Sequence, residues 1–398
     1  MKIAINATSA VAGGGVIYLK NLLNGLSKTE TVHHYVVLTT TAGRDMLYFP
    51  HPRFTFLALL LPSLSPLLRL CWEQTFLAPL LKRLQVDVLF SPANVAPLFS
   101  KIPNVAMIQN IEPFSNTVSV GRGLLSSLRL KLLKWLTVLS INKSQRVIFP
   151  STKARGVVME SGISLNHAEV VYHGIDGEMF HPLPCESPLK KYDLGRFILF
   201  VSNIQRYKNF FGLIRAFALL KGKIDDSVRL VFAGRCFDAA YYRELQSFIT
   251  AQKLEDRIIF LGDVSYIHLP YLYANCALFV NPSTCESFGM TMVEAMSCGA
   301  PILASNIEPM PEICGEAAIY FDPTDPATIS EALFAALNDP SALSIMRANS
   351  LKRARMFSWE NTALRVLEIL EGKNGSSGES MGKKQKKVGN CCPNWLNE

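Results

Sequence analysis

The sequence predicts an α/β architecture of two doubly wound, Rossmann-like domains facing a cleft. Three observations carry this reading. Short apolar runs bounded by turn residues alternate with helical patterns along most of the 398 residues, as in a parallel sheet layered with helices. A stretch with little periodicity, holding Pro182, Pro184 and Pro188, divides the chain near its middle. A composition of 49% hydrophobic and 18% charged residues is enough for two ordinary cores and excludes a disulfide mini-protein or a disordered chain.

In the first half, strands are expected near residues 2–6, 35–39, 86–90, 105–109, 146–149 and 169–172. In the second they are expected near 197–201, 229–233, 257–261, 277–280, 301–304 and 317–320, followed by helices such as 210–220 and 239–251. The organisation is then a first domain over 1–180, a linker over 181–193, a second domain over 194–356 and a late helix over 357–371. The Gly-, Ser- and Lys-rich tail, 372–398, is expected to be disordered. The apolar stretch 54–71 is broken by Pro62, Ser63, Ser65, Pro66 and Arg69. A spanning helix needs roughly 20 uninterrupted apolar residues, so this stretch reads as buried or interfacial. Residues 1–6 alternate like a strand and lack the apolar core of a signal peptide. Nine scattered cysteines with no C-x2-C pair fit neither a disulfide framework nor a zinc site, and suggest a reducing, cytoplasmic setting.

The net charge of +8 is unevenly spread: +8 over residues 1–180, −3 over 181–371 and +3 in the tail. Between Glu112 and Glu160 there is no acidic residue, while Arg122, Arg129, Lys131, Lys134, Lys143, Arg146, Lys153 and Arg155 all fall there. Such a block, 113–159, is drawn to phosphates or to an anionic membrane surface. Within it Leu125, Leu128, Leu132, Leu136 and Leu139 recur at helical spacing, with Trp135 at the edge of the stripe. Two readings stand: a helix buried against its own domain, or a basic amphipathic helix lying on a membrane. No zinc finger, RNP-type aromatic pair or basic zipper accompanies the charge, so nucleic acid is not an expected partner.

The segment that carries most chemistry is NPSTCESFGMTMVEAMSCGA, residues 281–300. It runs from a strand through a Ser/Thr turn into a helix expected to begin at Phe288 or Gly289. The first amides of that helix lack internal partners and sit at the positive end of its dipole, which makes an anion site. Gly289 allows close approach of a ligand to the backbone. Glu286 precedes the helix and Glu294 lies inside it, flanking whatever the helix end holds; Glu286 is alternatively a structural charge at the helix terminus. Glu294 stands among small and apolar neighbours, where a carboxylate needs a polar partner. A second anion site follows FILFV, where Asn203, Arg206 and Lys208 precede a helix at the carboxyl end of a strand; the alternative for Arg206 is a solvent-exposed loop position. Gly13, Gly14 and Gly15 after the first strand do not form G-x-G-x-x-G, so a flexible loop facing the cleft is expected in place of a dinucleotide site. No Asp-x-Asp pair, H-E-x-x-H or Walker A motif occurs, which leaves a leaving phosphate to protein cations and a helix dipole.

With these residues assembled, the chain resembles a family-4, group 1 retaining glycosyltransferase of the GT-B fold, mannosyltransferase-like, over about residues 1–371. The E-x7-E signature stands as Glu286 and Glu294. FVSNIQRYKNFFGLIRAF, LVFAGR, RIIFLGDV, VVYHGID and FSWENTALRVLEIL support it. The resemblance implies a first domain for the acceptor, a second for the donor and a late helix crossing back. It implies transfer of a hexose from a nucleotide-diphosphate sugar to a saccharide or lipid-linked acceptor, with retention, in surface polysaccharide or glycoconjugate synthesis. No other cofactor and no metal are expected.

The implied catalytic residues are Glu286, Lys208 and Arg206. Those implied for the donor are Gly14, Gly15, Asn203, Ser287, Phe288, Gly289, Met290 and Glu294, the last on ribose hydroxyls. Gln109 and Asn110 are implied for the acceptor. Asn203 stands where many members have arginine, and Gln109-Asn110 where many have His-Asp. Two alternatives remain from the sequence: a sugar-nucleotide epimerase or hydrolase of the same fold, and a non-catalytic adaptor that retains it. The expected location is cytoplasmic, at the inner face of the cell membrane.

Overall fold

The computed structural model describes residues 1–10, 13–60, 66–115, 124–183 and 192–373, with the backbone alone at 66, 67 and 124–126. The expected disordered tail beyond 373, Arg122 and most of the expected linker lie outside the described residues.

The first domain is a parallel sheet of β1 (Lys2–Asn6), β2 (His34–Thr40), β3 (Phe54–Leu59), β4 (Val88–Ser91), β5 (Asn104–Met107), β6 (Arg146–Phe149) and β7 (Ala168–Val170), in the order β3-β2-β1-β4-β5-β6-β7. Around it lie α1 (Gly14–Ser27), α2 (Thr41–Leu47), α3 (Pro66–Thr75), α4 (Leu77–Arg83), α5 (Leu124–Lys143) and α6 (Thr152–Glu160). The second domain repeats the plan with β8 (Phe197–Val201), β9 (Arg229–Ala233), β10 (Ile258–Phe260), β11 (Leu278–Asn281), β12 (Ile302–Ser305) and β13 (Ala318–Phe321), in the order β10-β9-β8-β11-β12-β13. Its helices are α7 (Phe210–Ala218), α8 (Ala239–Ala251), α9 (Leu269–Asn275), α10 (Met290–Ser297), α11 (Met310–Cys314), α12 (Pro326–Leu337) and α13 (Pro340–Ala354). FILFV and LFVN are buried at every position, since a parallel strand with helices over both faces has no solvent side. In each sheet the strand order reverses beside the first strand, between β1 and β4 and between β8 and β11. The carboxyl ends of strands at such switch points form crevices for ligands.

The late helix, α14 (Trp359–Leu370), starts two residues after the expected 357; Phe357 belongs to the second domain's core instead. Trp359, Ala363, Val366, Leu367 and Leu370 pack with Leu19, Leu22, Leu23 and Leu26 of α1 in the first domain's core. Each large side chain buried there contributes roughly 1.5–3 kcal/mol, so apolar burial fastens the crossing. Its register is set by the Thr362 hydroxyl, which donates to the Tyr172 carbonyl at 2.8 Å, and by Arg365 donating to Glu169 at 2.7 Å. At Gly25 a Cβ would lie 2.8 Å from both the Ala363 Cβ and the Trp359 carbonyl oxygen, so only glycine lets the two helices approach this closely.

Two stretches that the sequence treats as units divide in the structure. The stretch 54–71 opens with β3, an edge strand buried fully only at Phe54, whereas Leu60, Leu68 and Cys71 are exposed. In α5 the leucine stripe divides. Leu136 and Ile141 are buried, whereas Leu128, Leu132 and Trp135 stand in solvent beside Arg129 and Lys131. Among the described residues no helix is long and apolar enough to cross a membrane.

Candidate active site

A cavity of about 470 Å³ opens between the domains. Gly14, Tyr18, Gln109 and His173 line it from the first domain, Trp359 from the crossing helix, and Ser202, Asn203, Lys208, Glu286 to Thr291 and Glu294 from the second. The loop after β8 and the loop after β11 meet there, because Thr284 donates through its amide and its hydroxyl to the Tyr207 carbonyl at 2.9 and 3.1 Å. That junction brings the Lys208 ammonium to 2.7 Å from a Glu286 carboxylate oxygen, both side chains 15% exposed. The helix after Glu286 begins at Met290, one to two residues later than expected, with Gly289 as its N-cap at φ 91°. This left-handed geometry favours glycine and turns the loop into the helix beside the ion pair.

Glu294 is buried, and both carboxylate oxygens are engaged: the Tyr266 hydroxyl donates to one at 3.0 Å and the Tyr273 hydroxyl to the other at 2.8 Å. Burial pushes its carboxyl up to about 7, with the two hydroxyls pulling the other way. The polar partner that its apolar neighbourhood demanded is thus a pair of tyrosines. Tyr266 itself lines the cavity, so a ligand hydroxyl entering there meets a carboxylate already satisfied by a tyrosine hydroxyl of similar chemistry.

The remaining expected site residues divide. Gln109 lines the cavity and its amide group donates to the Pro92 carbonyl at 2.8 Å, while Asn94 accepts from the backbone of both Gln109 and Asn110. Asn110 does not line it; its side chain accepts from the Glu112 amide at 2.9 Å. Gly14 lines the cavity and Gly15 does not. Asn203 does, and accepts from the Arg235 amide at 3.2 Å. Arg206 is a correction. It makes a two-pronged pair with Glu244 at 2.6 and 3.0 Å, lies over the Tyr241 ring and is not among the lining residues. A planar guanidinium matches a carboxylate in this fork geometry, and Glu244 on α8 supplies it, so Lys208 is the cation left beside Glu286.

His173 and Tyr18 were not singled out from the sequence. His173 is buried among Tyr18, Phe288 and Trp359, with ring centroids 4.8, 4.8 and 6.1 Å away. Burial lowers its imidazole to about 3, so it is neutral at ordinary pH. Its only sequence signal was a histidine closing an apolar run, in VVYHGID.

Comparison with known proteins follows the same division of the chain. Residues 12–178 match the family described as Glycosyltransferase Family 4, and residues 187–355 match Glycosyl transferases group 1. The O-antigen chain mannosyltransferase B of Escherichia coli is 35% identical over 193 residues, 47% of this chain and 49% of that protein. The serotype-specific mannosyltransferase WbdA of Escherichia coli is 35% identical over 179 residues, 45% of this chain and 22% of that protein. The chain spans about half the length, or less, of these curated relatives. Among solved structures, HepE of Anabaena in complex with UDP and glucose has a TM-score of 0.73 at 20% identity, covering 94% of this chain and all of that one. WaaG, a glycosyltransferase involved in lipopolysaccharide biosynthesis, has a TM-score of 0.70 at 14% identity, covering 93% of this chain and 100% of that one.

Proposed function

With a family 4 half followed by a group 1 half, the chain belongs to the GT-B glycosyltransferases, and on that premise we propose that it transfers a hexose, mannose in our reading, from a nucleotide-diphosphate sugar to a saccharide or lipid-linked acceptor with retention. The observation that carries this reading is the Lys208–Glu286 pair at 2.7 Å beside the N-terminus of α10, in a cavity between the two domains. As the bond from sugar to phosphate breaks, negative charge grows on the diphosphate and positive charge on the sugar. Lys208 and the first amides of α10 meet the former. Glu286 accepts from a sugar hydroxyl and orients the ring, and Glu294 accepts from the ribose after Tyr266 gives way. Lys208 and the helix dipole neutralise the leaving group without a divalent ion.

The similarity to O-antigen mannosyltransferases supports a role in surface polysaccharide assembly. Leu128, Leu132 and Trp135, exposed beside Arg129 and Lys131, support a peripheral site on an anionic membrane where such an acceptor resides. A sugar-nucleotide epimerase or hydrolase has no use for that basic apolar face, and an adaptor has none for the paired Lys208 and Glu286 with Glu294 in the cavity. The test is a panel of nucleotide-diphosphate hexoses: one should raise the melting temperature and serve as donor. A panel that neither stabilises the protein nor is turned over would refute the reading.

A further inference from the structure

One carboxylate ties the two domains together outside the cavity. Glu312 lies on α11 of the second domain. One of its oxygens accepts from the Thr152 amide at 2.7 Å and from the Tyr172 hydroxyl at 2.9 Å, and the other accepts from the Lys153 amide at 3.1 Å. Thr152 and Lys153 are the first residues of α6 in the first domain. A helix N-terminus has free amides at the positive end of its dipole, and here its anion is supplied by the opposite domain.

The backbone that presents Glu312 is itself fixed. Arg353 of α13 donates to the Glu312 and Ile313 carbonyls at 2.6 and 2.8 Å, and Glu308 accepts from the Glu312 amide at 3.0 Å. The other side of the contact leads to the cavity. Ser151, the N-cap of α6, accepts from the Ala154 amide and donates to the Ser287 carbonyl at 2.6 Å, next to Glu286. Tyr172 packs on Phe288, which lines the cavity, with ring centroids 6.0 Å apart.

We propose that Glu312 is a positioning residue that holds the first domain in register over the cavity, by serving as the anion of α6 and so fixing where Ser151 and Tyr172 meet the 287–288 turn. It touches no substrate. Its consequence for turnover rests on the glycosyltransferase reading, whereas its hold on the domain arrangement does not. Removing it leaves the helix amides open to water and frees the domains to swing, while the second domain's own nucleotide contacts stay in place. Misplacement of reacting groups by about 1 Å costs on the order of a hundredfold in rate.

The experiment uses the full chain and two changes made from opposite sides of the contact. Glu312→Ala removes the carboxylate. Thr152→Pro removes one amide donor at a position where proline suits a helix, and Ser151 is already extended at φ −153°, ψ 161°, as a residue before proline must be. Small-angle X-ray scattering should give a larger radius of gyration for both variants than for the parent, with circular dichroism unchanged. Calorimetric titration with GDP and UDP should give affinities within about threefold of the parent, while kcat falls roughly ten- to a hundredfold. Scattering curves for both variants that superimpose on the parent would overturn the proposal. A parent that binds neither nucleotide and turns over no sugar would sink the glycosyltransferase reading alone, because the scattering comparison still decides the role of Glu312.

Discussion

The Lys208 ammonium and the Glu286 carboxylate, 78 positions apart in sequence, meet at 2.7 Å with most of each side chain withdrawn from solvent. In the function we propose, the cation meets the leaving phosphate and the carboxylate orients the sugar. Glu286→Ala is therefore expected to lower kcat by roughly a hundredfold, the scale of losing one group aimed at transition-state charge, with a smaller change in donor KM. Steady-state kinetics check this, and parental kcat in the variant would remove Glu286 from the chemistry.

Glu294 gives a pH signature. Its carboxyl is raised from 4.5 to about 7 by burial, so between these values the folded chain holds a proton that the unfolded chain has lost. Stability from this group is thus full below about 4.5 and is lost as pH rises toward 7, a change on the order of 3 kcal/mol. Glu294→Gln should flatten the melting temperature across that window relative to the parent. Identical pH profiles for the two would mean that folding leaves the Glu294 carboxyl unshifted.

The crossing helix depends on a missing side chain. Gly25→Ala forces a methyl against Ala363 and the Trp359 carbonyl, each 2.8 Å from its position, and overpacking of this kind costs about 1–3 kcal/mol. Denaturant unfolding should register that loss, and an unchanged midpoint would show that α1 and α14 slide apart freely.

How legible this was depended on whether the signal was local. FILFV and RLVFA were placed to the residue, because a strand buried on both faces is an apolar run with clear ends. β3 was missed because an edge strand with only Phe54 fully buried does not stand out within a longer apolar stretch. Lys208, Glu286 and Glu294 were legible as a motif on loops and a helix end. The engagement of Arg206 by Glu244, the tyrosines on Glu294 and the cross-domain hold of Glu312 were not. Each joins segments that only folding makes neighbours, and nothing in the local pattern of either segment marks the partner.

Exposed leucines beside lysine and arginine on α5 predict salt-sensitive membrane attachment. Each basic residue near an anionic surface contributes about 1 kcal/mol, screened as ionic strength rises. Sedimentation with anionic vesicles at low salt should carry the protein down, high salt or neutral vesicles should release it, and Leu128→Glu with Trp135→Glu should abolish attachment. Negligible binding to anionic vesicles at low salt would leave α5 without a membrane role.

The donor site itself is tested most directly by calorimetric titration of GDP and UDP in EDTA, into the parent and into Lys208→Ala and Glu294→Ala. One nucleotide should bind the parent without added metal, and each variant should bind it about tenfold more weakly, the loss of one charge-assisted hydrogen bond. Parental affinity in both variants, or binding by the parent only when Mg²⁺ is restored, would contradict a site in which Lys208 holds the diphosphate and Glu294 the ribose.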